Sequence, residues 1–459
     1  MSIITQNEQD SKRFDATINN FFNTYKIGKL LKAAGAYKEK GVPCVTVFRL
    51  VFMLVFSGKN LFMTLENSSA VGCAKDVVYR FLNSMTIHWE HFLMLLSSAV
   101  IREISMLTSE KRVSVLILDD SLYNRNRSKA VELLARVKDH TDGGFKKGFR
   151  MLTMGWSDGN SFIPICFSLL SSSNEKNRLQ EASTIDKRTL SGKRRINAIR
   201  PMPEMVLEML RKAKEAAIIA NYVLFDSWFA TPSALLNIDA IGYKTIAMVK
   251  KSSKIHYSYG DEQQPLSRIY KSLKKRRGKA KWLSSALVKL SNAEGVMIEA
   301  KIVFVRNRSN KKDWLAVISN DTTLPEDEII RIYGKRWDIE VFFKMCKSYL
   351  KLSKEFQGRS YDLLVAHTTI VFSRYIMLVL ESRNAKDERT FGALFFLCCD
   401  ELADITFTQA IMIMLEMLVL ALQEKFMLAK AAVSSFIDDF IAALPAWIKG
   451  KLSFLYCES

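Results

Sequence analysis

Val113-Ser-Val-Leu-Ile-Leu118-Asp119-Asp120-Ser121 is the stretch on which the fold turns. Its apolar run is too short for a helix, is rich in β-branched residues and stops at two acids, so it reads as a buried central strand. Downstream, Phe149 to Trp156 and Ser161 to Leu169 are two further apolar runs joined by the turn-forming quartet Ser157-Asp158-Gly159-Asn160, which predicts a hairpin. Polar residues 171–200 read as a loop, residues 203–220 resume a helical period, and Tyr222 to Phe225 is a short strand ending in Asp226. The pattern is that of an α/β fold.

The flanks differ in character. Up to about residue 110, apolar positions such as Val47, Leu50, Val51, Leu54 and Val55 recur at helical spacing and predict a helical N-terminal region. Residues 241–319 carry short β-like runs (Lys244 to Val249, Val296 to Val305, Trp314 to Ile318) between basic turns, which predicts a β-rich insertion. The core would then comprise residues 111–240 and 320–360. Thr323-Leu-Pro-Glu326 has capping-box spacing and opens a helix expected to run unbroken to about Leu350. Residues 361–459 are apolar and Met-rich at helical spacing, a helical C-terminal region that could pair two subunits.

The 459 residues allow roughly three structural units. Lys and Arg number 67 against 47 Asp and Glu, a net charge of +20 that calls for an acidic partner. Basic residues spread through folded segments favour nucleic acid over a membrane surface. The apolar stretches at 44–65, 363–380 and 410–422 are interrupted by charge or short, so no membrane span is expected. Seven scattered cysteines without a CxxC pair suggest reduced thiols, and the charged first fifteen residues lack a secretory h-region, so the expected location is cytoplasmic.

Three acids stand on rigid elements: Asp120 and Asp226 at strand ends, and Glu340 within the capped helix. On an ideal helix Tyr333, Arg336, Glu340 and Lys347 fall within an arc of about 60°. Cations, a phenol and the neighbouring Trp337 and Phe343 around one acid suit a phosphate backbone. Adjacent strand residues point to opposite faces, so only one of Asp119 and Asp120 can be a direct ligand.

Leu-Asp-Asp120-Ser, Leu-Phe-Asp226-Ser and Tyr333-x2-Arg336-x3-Glu340-x6-Lys347 resemble the DDE transposases of bacterial insertion sequences, in the subgroup with a Tyr-Arg-Glu-Lys signature and a β-rich insertion before the last acid. The resemblance covers roughly residues 110–380. It implies an RNase H-like mixed sheet, with the acids on the first strand, the fourth strand and a following helix. It favours Asp120 over Asp119, because the family's first acid precedes Ser or Thr and Ser121 follows here.

The implied cofactor is a pair of Mg²⁺ ions held by Asp120, Asp226 and Glu340, with Mn²⁺ able to substitute; hard oxygen donors suit these ions. The implied reaction is cleavage at transposon ends followed by strand transfer into target DNA. An RNase H-like nuclease without strand transfer and an inactive, domesticated DNA-binding protein are the alternatives. The implied partners are double-stranded DNA and a second copy of the chain. By resemblance Arg336 and Lys347 contact phosphates, Tyr333 donates to the backbone, and Trp314 stacks on an extruded base. Lys274, Lys275, Arg276 and Arg277 lie in a run of seven basic residues in eleven, a candidate phosphate clamp.

Overall fold

The computed structural model describes residues 16–66, 73–109, 112–139, 143–278, 280–292, 295–307, 310, 313–384 and, with short interruptions, 414–443. Most of the C-terminal region expected to be helical therefore lies outside the described residues. The architecture is mixed α/β: eleven strands form one sheet with helices flanking it.

The sheet is built from β1 (Val115–Asn124), β2 (Ala135–Lys138), β3 (Phe145–Ser157), β4 (Phe162–Leu170), β5 (Tyr222–Phe225), β6 (Lys244–Val249), β7 (His256–Tyr259), β8 (Glu262–Pro265), β9 (Trp282–Ser291), β10 (Met297–Arg306) and β11 (Trp314–Ser319). The order is β2-β3-β1-β5-β6-β11-β10-β9-β7-β8, with β4 also on β3. β1, β5 and β6 run parallel to one another, whereas β3 and β4 form the expected antiparallel hairpin. At its turn Asp158 Oδ1 accepts the N–H groups of Asn160 (2.9 Å) and Ser161 (2.8 Å), and Gly159 takes a φ of 86°. The strands between residues 256 and 306 continue the sheet outward from β11.

N-terminal helices α1 (Ala16–Thr24), α2 (Ile27–Ala33), α3 (Cys44–Met53), α4 (Leu61–Glu66), α5 (Lys75–Leu82) and α6 (Trp89–Met106) meet the sheet through α6, which packs on β4. The polar segment expected to be a loop contains α7 (Leu190–Ala198). Its sequence hides the helix because tertiary ion pairs fix it. Thr189 caps it through the Gly192 N–H (3.0 Å), and buried Arg195 grips Glu132 (2.5 Å) and Asp362 (2.8 Å). Gly192 is required there, since a Cβ would sit 2.2 Å from the Asp186 carbonyl. The basic cluster at 193–195 is thus partly structural. α8 (Met202–Glu215), α9 (Pro232–Ile241) and α10 (Leu266–Ser272) complete the first two-thirds of the chain.

The helix expected from 326 to 350 is two: α11 (Glu326–Gly334) and α12 (Trp337–Ser348). Residues 335 and 336 keep helical dihedrals, but Lys335, Arg336 and Asp338 donate to carbonyls three residues back, a tightened turn. Lys335 fastens that joint to the Val113 and Asp158 carbonyls. The capping box does not form: Pro325 is the N-cap without a side-chain bond, and the Thr323 hydroxyl donates to Asp321 (2.6 Å).

α13 (Tyr361–Asn384) joins the two halves, packing against β4, α12, α3, α5 and α6. Residues 361–383 are long and apolar enough to cross a membrane, yet 94% of the most apolar window is buried inside the protein. Phe342 of α12 sits among Phe162, Phe372 and Tyr375, with ring centres 4.7–5.0 Å apart. Truncating such a ring costs about 3–5 kcal/mol, so α12 is firmly seated beside β1. α14 (Lys430–Ala443) is the last described helix.

Candidate active site

β1 runs to Asn124, so Asp119 and Asp120 lie in mid-strand and not at its end. What ends there is the pairing with β5, whose last partners are Leu118 and Phe225. Continued by one residue, that parallel register sets Asp119 beside Asp226, each just past the last β1–β5 pair. Asp226 accepts the Ser227 N–H (2.6 Å) and is half-buried.

Arg336, at the joint between α11 and α12, reaches this point from above. It donates through Nη1 to Asp119 Oδ2 (3.1 Å) and through Nη2 to Glu340 Oε1 (2.7 Å). The guanidinium bridges an acid on the sheet and an acid on the helix, and its side chain is only 14% exposed. Burial pushes the Asp119 carboxyl up to about 7, despite the opposing pull of Arg336 and the Asp120 N–H, and Asp120 and Asp226 push it further. A desolvated carboxylate among like charges gains from any added cation.

Asp120 faces the other way. Its carboxylate pairs with Arg150 of β3 (2.6 Å) and is 6% exposed. Asp120, opposite Leu152, and Arg150, opposite Leu122, form a diagonal pair on one face of the sheet. Asp119 and Ser121 share the α12 face, where Ser121 Oγ accepts from Lys347 Nζ (2.5 Å). Burial lowers the Lys347 ammonium, partly offset by Asp139 and Asp120. Arg150 was not singled out from sequence, because its meaning depends on hairpin register.

Tyr333 packs near Arg336, whose guanidinium carbon lies 6.0 Å from the ring centre. Burial raises its phenol well above the usual range, with Asp226 and Asp119 contributing and Arg336 opposing. Trp314, by contrast, is engaged within the chain: Tyr270 stacks on it at 4.6 Å and the Lys251 ammonium stands 4.3 Å from its ring centre. Within the basic run, Lys275 and Arg276 lie over the rings of Tyr270 (4.8 Å) and Trp282 (4.2 Å), and Lys274, Arg276 and Arg277 are exposed.

Among the described residues, no three His, Cys, Asp or Glu side chains form a ready-made metal cluster. The donor chemistry nevertheless fits a hard divalent cation. Asp119 and Glu340 are oxygen donors bridged by one guanidinium, and Asp226 stands close enough to Asp119 to act on its charge.

Residues 52–310 match the family model described as DDE superfamily endonuclease. The chain belongs to this family. The matched span exceeds half its length and includes Asp119, Asp120 and Asp226. No curated protein matches the chain. Membership in the DDE endonucleases gives the chain a DNA substrate and a transposase-like, divalent-metal-dependent cleavage chemistry.

Proposed function

We propose that this DDE endonuclease is the transposase of a bacterial insertion sequence in the Tyr-Arg-Glu-Lys subgroup, cutting transposon ends and joining them to target DNA. The observation that carries the reading is the Arg336 guanidinium, which draws Asp119 and Glu340 together next to Asp226 where two parallel strands stop pairing. The strand order β4-β3-β1-β5-β6, antiparallel then parallel, supports an RNase H-like core. Strands β7 to β10, lying between β6 and β11 in sequence, support a β-rich insertion.

Asp119, Asp226 and Glu340 would hold two Mg²⁺ ions, for which Mn²⁺ can substitute. Bound there, the ions would supply activation of a water or a DNA 3′-hydroxyl and stabilisation of the leaving oxygen. Arg336, released from its two carboxylates, would turn its planar donors to a phosphate near the scissile bond. Tyr333 would donate to the backbone, and Lys347, held by Ser121, would fix a further phosphate; these contacts position the strand without reading sequence. A homodimer would hold the two ends together.

A second reading keeps Asp120 as the first acid, favoured by the Ser that follows it. Its pairing with Arg150 on the opposite face speaks against that role. The test is cleavage of a plasmid carrying this reading frame with its flanking DNA, in Mg²⁺. Asp226→Asn and Glu340→Gln should abolish cutting with DNA binding retained, and joined products should appear with the parent. Cutting without joined products would leave a nuclease, and undiminished cutting by Glu340→Gln would overturn the assignment.

A further inference from the structure

A row of side chains runs across β4, β3 and β1 at the level of the acids. Thr153 of β3 is the cross-strand partner of Asp119 on one side and of Phe167 of β4 on the other. Residues paired in this way share one face of a sheet, so Phe167, Thr153 and Asp119 stand side by side, with Asp226 next in line. The face is the one that α12 covers. Gly155, two residues along β3 from Thr153, would drive a side chain into the Phe162 ring, which packs on Phe342 of α12 (5.0 Å).

Thr153 is fully buried, and its Oγ1 has no hydrogen-bond partner among the described residues. Buried hydroxyls are nearly always bonded, and one left alone costs stability that a valine of the same shape would not lose. On one side Phe167, whose ring meets Phe372 of α13 (5.0 Å), offers no acceptor. On the other stands the Asp119 carboxylate. Cβ atoms of such a pair lie about 4.5–5.5 Å apart, near enough for a hydroxyl to bond a carboxylate. Both Asp119 oxygens are already engaged: Oδ1 accepts the Asp120 N–H (2.8 Å), and Oδ2 accepts from Arg336 (3.1 Å). An orphaned donor thus waits beside an acid whose present donor is due to leave.

We infer that Thr153 is a positioning residue for Asp119: once Arg336 has turned away, the Thr153 hydroxyl donates to the Asp119 carboxylate and holds it in place for a divalent cation. Groups that bond a metal-binding carboxylate from behind fix its orientation, and removing one typically weakens metal binding about 10–100-fold. The inference rests on the reading of Asp119, Asp226 and Glu340 as the cation site. It adds to that reading a residue that touches neither the cation nor DNA.

The test is Mn²⁺ titration without DNA, followed by electron paramagnetic resonance, together with thermal melting of the metal-free protein. Thr153→Val should bind Mn²⁺ at least about tenfold more weakly than the parent, and Thr153→Ser, which keeps the hydroxyl, should bind as the parent does. Without metal, Thr153→Val should melt at or above the parent temperature, since it removes an unbonded polar group. Parent-like affinity in Thr153→Val, with binding lost in Asp226→Asn, overturns the positioning role and leaves the cation site standing. Thr153→Ser as weak as Thr153→Val would assign the effect to packing, and a lowered metal-free melting temperature in Thr153→Val would mean that the hydroxyl is already bonded; either overturns the inference. A parent that binds no Mn²⁺ sinks the reading of the acids beneath it.

Discussion

Replacing Glu355 by Gln should destabilise the fold where α13 meets the N-terminal helices, and its cost follows from the burial of one ion pair. Glu355 is 6% exposed and accepts from Arg374, which is fully buried (2.9 Å). Arg374 also donates to the Phe52 carbonyl (2.9 Å) and to that of Val51, at the end of α3. Burial works against the Glu355 carboxylate, but Arg374 and the hydrogen bond from His367 outweigh it and hold the group at about 2 against its ordinary 4.5. Burial lowers His367, with Glu355 opposing, and Arg374 is the first of the groups that stabilise the Glu355 carboxylate.

At about 1.4 kcal/mol per tenfold, that difference makes the ionised pair worth about 3 kcal/mol. Leaving Arg374 buried without its anion gives a similar figure. Because the folded-state value is depressed, the contribution is fully present above 4.5 and is lost as pH falls from there toward 2. Urea unfolding near neutral pH should therefore place Glu355→Gln about 3 kcal/mol below the parent. At roughly pH 3 the gap should shrink to less than half. A variant as stable as the parent near neutrality, or a gap that persists in acid, would refute the reasoning.

Asp119, raised to about 7, binds a proton in competition with a cation, so Mn²⁺ affinity should fall about tenfold per pH unit below 7 and level off above it, read by electron paramagnetic resonance. Trp314→Phe should leave DNA affinity within error and lower the melting temperature, because its ring is committed to Tyr270 and Lys251. A stacking role on a base would instead cost about 1–3 kcal/mol of binding.

Much of the core was legible because its strands are short apolar runs separated by turn chemistry, and β3, β4 and β5 lie close to where periodicity puts them. The break between α11 and α12 was hidden, since residues 335 and 336 stay helical in dihedral angle and only the hydrogen-bond spacing changes. α7 was hidden for a different reason: its polar residues are held by Glu132 and Asp362, distant in the chain. The preference for Asp119 over Asp120 turns on which face of β1 meets α12, and alternation alone leaves that open. Tyr333, Arg336 and Glu340 still converge across the break, because Lys335 pins the joint to the start of β1 and the hairpin turn.

The central claim is that Asp119, Asp226 and Glu340 together form a divalent-cation site. Direct Mn²⁺ titration of the parent, Asp119→Asn, Asp120→Asn and Asp226→Asn tests it without any need for DNA. The account predicts that Asp119→Asn and Asp226→Asn lose Mn²⁺ binding and Asp120→Asn keeps it; binding kept by Asp119→Asn and lost by Asp120→Asn would contradict it.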